Sequence, residues 1–332
     1  MELRKLILDV DTGSDDALAI MTALLCPEAF DLLGICTVNG NRPVENTTEN
    51  TLRVVELLGA QTPVIRGCAS PLVAQIDPLR SRRRRLEEGR DADGDLVAYH
   101  AEYLPLPPAK GSALPGAYAP IWYIDTLMRQ SEKVTLVMVG PLTNFAIAYR
   151  IEPRILDHVA EIVIMGGGLY EHNSTAAAEF NIFTDPEAAA ILFECGEQVP
   201  LTVMPLDATH RANLRPCHAE LFISWHTAVG DFVGAEICER IRAYNLLQPL
   251  HEPDIAPIHD ALCILYLLDP SIITELRTVR ADVVCGGIAD GETVFDTRHF
   301  TDAPRNCRVC LNTNEEKFAQ LMVDILSRAK NR

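Results

Sequence analysis

Four carboxylates stand within eight residues near the start of the chain, at Asp9, Asp11, Asp15 and Asp16. An apolar run precedes them and helically spaced apolar residues follow, which predicts a strand, a tight turn at Gly13 and a helix. Carboxylates this crowded repel one another unless protons or a cation neutralise them. Because carboxylate oxygens are hard ligands, the stretch predicts a site for Ca²⁺ or Mg²⁺.

Two other interpretations of this stretch are open from the residues alone. Ser14 is a candidate N-cap, and acidic residues in a first helical turn are common without any metal because the helix dipole favours them. The two aspartates after a first strand also resemble the motif of haloacid-dehalogenase phosphatases, with Asp9 or Asp11 as nucleophile. That motif has Thr or Val where this chain has Gly13, which counts against a phosphatase.

The composition excludes several classes of protein. With 332 residues, of which 48% are hydrophobic, the chain can build one large α/β domain or two small ones. A net charge of -17 argues against nucleic acid as a partner, since a phosphate backbone requires a basic surface. No apolar run reaches the roughly 18 residues of a membrane span. The chain begins directly with a strand-like run, so we expect neither a signal peptide nor a membrane partner.

Ten cysteines are scattered along the chain, most of them within apolar runs. This pattern is typical of buried free thiols and predicts a reduced, cytoplasmic protein. Cys307 and Cys310 have the spacing of a redox or zinc pair, but no second pair accompanies them and their neighbours predict an extended strand. We expect neither metal binding nor redox chemistry there.

Strand and helix patterns alternate along most of the chain. Strands are predicted at 31–38, 63–66, 134–139, 162–165 and 201–206, and helices at 43–58, 121–130, 185–194 and 258–268. The alternation predicts an α/β fold, with a mostly parallel sheet flanked by helices in a single domain that spans residues 1–332. An irregular insert at 67–117 carries an arginine run at 82–85, which we interpret as a solvated loop rather than a targeting signal.

Several candidate site residues stand where a predicted strand ends. These residues are Asp11, Asn41, Val139 and Met165. In open parallel sheets, ligands bind outside the carboxyl ends of the strands. The sequence therefore predicts an active site at that edge of the sheet.

In their types and order, these motifs resemble the nucleoside hydrolase family of the inosine-uridine preferring type. The opening motif D-x-D-x-G-x-D-D-A is matched at residues 9–17, Gly-Asn at 40–41 and G-P-L-T-N at 140–144. Met-Gly-Gly is matched at 165–167, an Asn six residues before E-F-N at 173 and 179–181, and His-Asp at 259–260. The resemblance runs from residue 9 to about residue 261 and covers most of the chain.

The resemblance implies an enzyme that cleaves the N-glycosidic bond of ribonucleosides, giving ribose and a free purine or pyrimidine base. It implies a Ca²⁺ ion held by Asp11, Asp16, Asp260 and the backbone carbonyl of Val139. The open positions in a shell of about 6–8 oxygens suit a water molecule and the cis hydroxyls of a ribose. The implied substrate-binding residues are Asp15, Asn41, Met165, Asn173, Glu179 and Asn181.

The chemistry implied by the resemblance proceeds through an oxocarbenium-like state, as in glycoside hydrolysis. Asp11 would take a proton from the attacking water, and His259 would protonate the leaving base. A dense polar cage rejects sugars that lack a hydroxyl, so we expect ribonucleosides to be preferred over deoxyribonucleosides. Family members are commonly homodimers or homotetramers, and we expect the same here.

The departures from the family pattern concern recognition of the base. Some members carry a His-Gly element after the third strand, where this chain has Arg90 and Asp91, and His100 is the other candidate for that histidine. Within residues 222–250, the candidates for either base contacts or ordinary helix packing are Trp225, His226, Tyr244 and Asn245. If the altered loop has abolished turnover, the chain is a nucleoside- or ribose-binding protein, which is the alternative from another functional class.

Overall fold

The structure is a computed structural model, and it describes residues 3–73, 80 and 88–331. The described strands are β1 Arg4–Val10, β2 Phe30–Thr37, β3 Val64–Ile65, β4 Glu88–Arg90, β5 Leu96–Ala98, β6 Val134–Met138, β7 Val159–Met165, β8 Leu201–Met204, β9 Asn213–Leu214, β10 Ala256–Pro257, β11 Ile273–Val283, β12 Thr293–Asp296 and β13 Cys307–Thr313. The described α-helices are α1 Ser14–Leu24, α2 Val44–Leu57, α3 Ala119–Arg129, α4 Thr143–Ile151, α5 Phe180–Thr184, α6 Pro186–Cys195, α7 Leu206–Thr209, α8 Pro216–Ile223, α9 Ala228–Leu247, α10 Ala261–Leu268 and α11 Glu315–Leu326.

Nine of the described strands form one sheet in the order β12-β11-β13-β8-β7-β6-β1-β2-β3. The strands from β13 to β3 run parallel, and β11 and β12 extend one edge in antiparallel pairing. Each strand and helix predicted between residues 31 and 268 is found within three residues of its predicted ends. The predicted α/β fold, with a mostly parallel sheet flanked by helices, is confirmed.

The central strand β1 shows why helices cover both faces of the sheet. Leu6, Leu8 and Val10 pack into one apolar cluster and Ile7 into another, since successive side chains of a strand point to opposite faces. The first cluster contains residues of α1, α2 and α7 to α11, and the second contains residues of α3 to α6. Because both faces are buried, β1 is apolar throughout its central residues.

The insert contains a regular element, the antiparallel hairpin formed by β4 and β5. Val97 and Tyr99 pack with Tyr244 of α9 in a small apolar cluster of their own. The rest of residues 88–117 is irregular, and Arg53 of α2 holds it by donating to the backbone carbonyl of Leu104 at 3.0 Å. The arginine run at 82–85 lies outside the described residues.

The first helix begins at Ser14, and Gly13 rather than Ser14 occupies the N-cap position. The expectation that Ser14 caps α1 is therefore wrong. The carboxylate of Asp16 accepts a hydrogen bond from the Gly13 backbone N–H at 2.9 Å, which stabilises the start of the helix. The Ser14 hydroxyl accepts instead from the guanidinium of Arg240 at 2.7 Å. Asp15 and Asp16 lie in the first helical turn, as predicted.

Asp9, near the end of β1, makes buried hydrogen bonds that hold the fold together. Its carboxylate accepts hydrogen bonds from the Tyr123 hydroxyl at 3.0 Å and from the side-chain amide of Asn144 at 3.1 Å. The same amide nitrogen donates to the carbonyl of Thr37 at 3.0 Å, and the amide oxygen accepts from the Cys68 backbone N–H at 2.8 Å. Burial raises the pKa of Asp9 to about 7 despite these two donors. Asn144 thus ties the end of β1 to the end of β2.

The cysteines fit the predicted pattern of free thiols. All ten are free, and Cys307 and Cys310 lie in β13, which confirms the extended strand predicted there. Burial raises the pKa of both thiols to about 12, so they stay protonated at neutral pH. Among the described residues, no helix combines the length and the apolar character needed to cross a membrane.

Replacing Asn144 with Ala should lower the free energy of unfolding by about 3 kcal/mol, because a buried carboxylate and a buried carbonyl lose their shared donor. Urea unfolding followed by circular dichroism measures this change. The matched control is Asn245→Ala, which breaks a pair with Asp254 at the surface and should change the free energy by less than about 0.5 kcal/mol. Equal losses in the two variants would contradict the tie assigned to Asn144.

Candidate active site

A pocket opens at the carboxyl edge of the sheet, where β1, β6 and β7 end. The strand order reverses beside β1, and such a point is the usual ligand site of an open α/β sheet. The predicted site residues that line the pocket are Asp11, Asp15, Asn41, Val139, Met165, Asn173, Glu179, Asn181, His259 and Asp260. Asp16, the remaining predicted residue, is fully buried next to them. The structure therefore brings the whole predicted set together.

Asp11 follows β1 directly, and its carboxylate fits between two glycines. A Cβ atom on Gly40 would lie 2.0 Å from Oδ2 of Asp11, and one on Gly140 would lie 2.8 Å from Oδ1. The backbone N–H of Asn41 donates to Oδ2 at 2.7 Å. The Gly-Asn and G-P-L-T-N motifs therefore need glycine because the backbones of both loops approach this carboxylate closely.

Asp16 is held by three uncharged donors. Its Oδ1 accepts from the backbone N–H of Asp11 at 3.1 Å. Its Oδ2 accepts from the backbone N–H of Gly13 at 2.9 Å and from the side-chain amide of Asn41 at 3.1 Å. Asn41 thus binds both carboxylates, Asp11 through its backbone and Asp16 through its side chain.

The carboxylates form a cluster that fits a hard divalent cation. One oxygen from each of Asp15, Asp16 and Asp260 lies within 4.8 Å of the other two, and all three residues are buried. Asp11 and Val139, which line the same pocket, add a further carboxylate and a backbone carbonyl. All of these donor atoms are oxygens, which Ca²⁺ and Mg²⁺ prefer.

Burial and mutual repulsion make this cluster unfavourable without a neutralising charge. Burial, followed by the charge of Asp15, raises the pKa of Asp16 to about 7. Burial, followed by the charge of Asp16, raises the pKa of Asp11 well above its usual range. The pKa of Asp260 is raised in the same way by burial and by the charges of Asp15 and Asp16. A bound cation would remove this repulsion and favour the ionised carboxylates, so the residues fit one.

Asp15 differs from its neighbour because it forms an ion pair with Arg240. Nη1 of Arg240 lies 3.0 Å from Oδ1 of Asp15, and Nη2 lies 3.1 Å from Oδ2. The two side chains are 2% and 7% exposed, respectively. The pocket therefore contains a fixed positive charge on one side of its acidic cluster.

Glu179 caps the short helix α5 and lies buried in the pocket wall. Its carboxylate accepts hydrogen bonds from the backbone N–H groups of Gly167 at 3.0 Å, Asn181 at 2.9 Å and Ile182 at 3.1 Å. Burial raises the pKa of Glu179 to about 7 against the lowering effect of these donors. The three donors fix its orientation, and its other lone pairs can accept from a ligand hydroxyl.

Two amide side chains complete this side of the pocket. The Asn181 amide donates to the carbonyl of Val139 at 2.7 Å and to that of Met165 at 3.2 Å, so it connects the ends of β6 and β7. The amide oxygen of Asn173 accepts from the Phe180 backbone N–H at 2.8 Å. Because this contact engages the oxygen, the amide nitrogen is the group of Asn173 that can donate to a ligand.

His259, which directly precedes Asp260, has both ring nitrogens engaged. Its Nε2 lies 2.6 Å from the Tyr244 hydroxyl, and its Nδ1 lies 2.8 Å from the Thr209 hydroxyl. Tyr244 also lines the pocket. A hydroxyl both donates and accepts, so Tyr244 can carry a proton between the His259 ring and a ligand.

His100 lies against the turn that precedes α1. A Cβ atom on Gly13 would lie 2.0 Å from Nδ1 of His100, and the Ser14 backbone N–H donates to that nitrogen at 3.3 Å. Arg42 holds this segment by donating to the backbone carbonyl of His100. Arg90 is exposed in the hairpin, where it hydrogen-bonds within its own turn. Of the two candidates in the insert, His100 is the one that lines the pocket.

The candidates between 222 and 250 separate into two groups. Tyr244 lines the pocket, whereas Trp225 packs edge-on against Phe222 with ring centroids 4.9 Å apart. Asn245 hydrogen-bonds at the surface, and His226 adopts a φ of 52° in the turn before α9. Helix packing is thus the right interpretation for Trp225, and base contact stays a prediction for Tyr244.

Sequence reasoning missed several residues that line the pocket, namely Arg42, Tyr99, Phe180 and Arg240. The sequence does contain a clue to Arg240. Together with Val233, Ile237 and Tyr244 it has the spacing of one helix face, and that face of α9 is buried. A charged residue on an apolar stripe needs a partner, which here is Asp15. No comparable local signal marks Arg42 and Tyr99, because their contacts are made to distant segments.

Comparison with known proteins identifies the family. Residues 6–320 match the sequence profile of the family described as inosine-uridine preferring nucleoside hydrolase. The chain belongs to this family. The inosine-uridine preferring nucleoside hydrolase of Leishmania major is 36% identical over 329 residues, which cover 98% of each chain. The pyrimidine-specific ribonucleoside hydrolase RihB of Escherichia coli K12 is 38% identical over 322 residues, which cover 96% of this chain and 95% of RihB.

Solved structures of nucleoside hydrolases share the fold over the full chain. A purine-preferring ribonucleoside hydrolase from Gardnerella vaginalis superposes with a TM-score of 0.83 at 29% identity, covering 99% of this chain and all (100%) of that one. The plant nucleoside hydrolase PpNRh1 superposes with a TM-score of 0.80 at 28% identity, covering 97% and 98% of the two chains. The chain is therefore a nucleoside hydrolase, an enzyme that acts on N-glycosyl bonds, and the phosphatase interpretation does not hold.

Replacing Gly40 with Ala in this nucleoside hydrolase should lower nucleoside hydrolysis by about 100-fold, because the new methyl group displaces the Asp11 carboxylate. Steady-state kinetics and a thermal melt of the same preparation measure activity and folding. Gly111→Ala is the matched control, since its Cβ would lie 3.2 Å from the flexible end of Glu56. Full activity in Gly40→Ala would show that the position of Asp11 is not critical.

Proposed function

We propose that this nucleoside hydrolase is a Ca²⁺-dependent ribonucleoside hydrolase and that the pocket at the ends of β1, β6 and β7 is its active site. The products would be ribose and a free purine or pyrimidine base. One observation carries the proposal: a single pocket combines a buried cluster of carboxylates with fixed amides and a buried glutamate. The first group suits a cation, and the second suits the hydroxyls of a sugar.

The residues that would hold the cation are Asp11, Asp16, Asp260 and, through its backbone carbonyl, Val139. Mg²⁺ usually keeps several waters and takes only one or two carboxylates from the protein, so a larger set of protein oxygens favours Ca²⁺. When bound, the ion would supply positive charge that orients sugar hydroxyls and makes a water molecule more acidic.

The sugar would be bound by Asp15, Asn41, Met165, Asn173, Glu179 and Asn181. Asp15, Glu179 and Asn181 are each held by hydrogen bonds of their own, so little ordering is needed when substrate binds. Because these groups are buried, a sugar lacking a hydroxyl leaves one of them unpaired. We therefore propose ribonucleosides rather than deoxyribonucleosides as substrates.

Asp11 is the residue that we assign to proton uptake from the attacking water. Its Oδ2 accepts from the backbone of Asn41, and the residue lines the pocket, so its carboxylate can be reached by a small molecule bound there. A fixed carboxylate at hydrogen-bonding distance from a water molecule can act as its general base.

Departure of the base would be assisted by His259. Its contact with the Tyr244 hydroxyl provides a route by which a proton reaches the base. The hydroxyl of Thr209 holds the other ring nitrogen and so fixes the plane of the imidazole. A base that leaves protonated carries away no negative charge, which lowers the barrier to cleavage.

We propose that both purine and pyrimidine nucleosides are substrates. The relatives described above include an inosine-uridine preferring, a pyrimidine-specific and a purine-preferring enzyme. In this chain Tyr99, His100, Arg240 and Tyr244 line the pocket together with His259. Aromatic rings can stack on either class of base, and the polar groups among them can hydrogen-bond to its edge.

Base release from inosine, uridine, cytidine and adenosine should be abolished by EDTA and restored by added Ca²⁺. Without a cation the carboxylates repel one another, and the charge proposed to orient the sugar and to make the water more acidic is lost. Chromatography of the free base measures the rate for each nucleoside, and the fastest one defines the preferred base. Activity that EDTA leaves unchanged would contradict the metal dependence, and binding without any base release would favour the binding-protein alternative.

Replacing His259 with Ala should lower kcat by about 100-fold or more while KM changes less, because a general acid acts in the transition state. Base release from inosine and uridine measures both constants. His251→Ala is the control, since that histidine is exposed. An unchanged kcat for every nucleoside would mean that the proton comes from another group or that the base leaves without one.

A further inference from the structure

Asp15 and Asp16 are neighbours in the sequence, but they have different kinds of partner. The donors to Asp16 are the backbone N–H groups of Asp11 and Gly13 and the amide of Asn41, all of which are uncharged. The donor to Asp15 is the guanidinium of Arg240, which contacts one carboxylate oxygen at 3.0 Å and the other at 3.1 Å. A positive charge from the protein thus covers both oxygens of Asp15.

Arg240 is fixed in place by contacts on several sides. Its Nε donates to the carbonyl of Pro257 at 2.8 Å, and its Nη1 donates to the Ser14 hydroxyl at 2.7 Å. Its guanidinium lies 5.5 Å from the centre of the Tyr244 ring. The side chain is 2% exposed, and a guanidinium stays protonated even when buried. Arg240 therefore cannot withdraw from Asp15 without breaking several hydrogen bonds.

By position alone, Asp15 qualifies as a ligand of the cation. One of its oxygens lies within 4.8 Å of oxygens from Asp16 and Asp260. A cation bound to that oxygen would stand close to the guanidinium, and like charges at such a separation repel each other. The ion pair thus makes Asp15 the least favourable ligand of the three carboxylates.

We propose that Arg240 is a positioning residue that keeps Asp15 out of the coordination shell of the cation and reserves it for a hydroxyl of the substrate's sugar. This inference rests on the proposed function, because it concerns the same cation and the same sugar. A carboxylate oxygen has two acceptor positions, and Arg240 uses one on each oxygen. Each oxygen of Asp15 therefore retains a position for a sugar hydroxyl.

The first test is the affinity of the unaltered protein and its variants for Ca²⁺, measured by calorimetry after removal of bound metal with EDTA. The Arg240→Met variant should bind Ca²⁺ about tenfold more tightly than the unaltered protein, because the site gains one charged ligand. Loss of packing alone would weaken binding, so a gain in affinity separates this role from a purely structural one. The KM for uridine should rise, since Asp15 would be drawn toward the cation.

The second test counts the water molecules on the cation. Tb³⁺ replaces Ca²⁺ as the probe, and its luminescence lifetimes in H₂O and D₂O report the number of bound waters. Arg240→Met should hold about one water fewer than the unaltered protein, because Asp15 takes its place in a shell of about 6–8 oxygens. An affinity gain with an unchanged water count would overturn the proposal, since it would reflect charge alone.

Two further variants complete the design. Arg242→Met removes an arginine two positions away on α9 that pairs with Asp91, and it should alter neither affinity nor water count. Arg240→Lys keeps the positive charge but cannot bind both oxygens of Asp15. It should therefore change the Ca²⁺ affinity and the water count in the same directions as Arg240→Met, but by smaller amounts. If Arg240→Met fails to fold, as a thermal melt would show, Arg240→Lys decides the question.

The possible outcomes distinguish this inference from the proposed function. If the unaltered protein binds neither Ca²⁺ nor Tb³⁺, the proposed cofactor is wrong and the inference is wrong with it. If the unaltered protein binds Ca²⁺ and Arg240→Met binds it equally or more weakly, only the role of Arg240 is overturned. Equal gains in Arg240→Met and Arg242→Met would also overturn that role.

Discussion

Repulsion among buried carboxylates is the constraint on which the rest of the pocket depends. Three of its four carboxylates are accommodated in different ways: Asp11 fits between two glycines, Asp16 accepts from uncharged donors, and Asp15 pairs with Arg240. A cluster of this kind would be unfavourable on a flexible loop, because the side chains would separate. It persists because β1 and β6 lie in the interior of the sheet, where apolar packing on both faces fixes the ends of the strands.

Within the opening motif, one aspartate supports the fold and another lines the pocket. Asp9 and Asp11 are two residues apart, yet Asp9 binds Tyr123 and Asn144 within the fold while Asp11 faces the pocket. The G-P-L-T-N motif is divided in the same way, because Gly140 makes room for Asp11 and Asn144 secures the strand that carries it. A motif can therefore be specific to a family although only part of it lines the site.

Much of the site could be predicted from the sequence because its residues follow strand ends in a recognisable order. The strand pattern and the family resemblance are enough to predict that Asp11, Asn41 and Val139 lie together, and all three line the pocket. Arg42 and Tyr99 could not be predicted, since no local pattern shows which distant segment they contact. Hydroxyls usually cap helices, which favours Ser14 as the N-cap of α1. In the structure the guanidinium of Arg240 binds that hydroxyl, and the Asp16 carboxylate accepts from the backbone N–H of Gly13.

The position of Asn144 changes the usual ranking of substitutions. An exchange of Asn for Asp preserves shape and is ordinarily among the mildest of changes. Here the amide nitrogen faces the two carboxylate oxygens of Asp9 at 3.1 Å, so an aspartate would set two buried carboxylates against each other. The isosteric replacement therefore removes the donor to Asp9 and adds a second buried acid beside it, so it is not the mild change that its shape suggests.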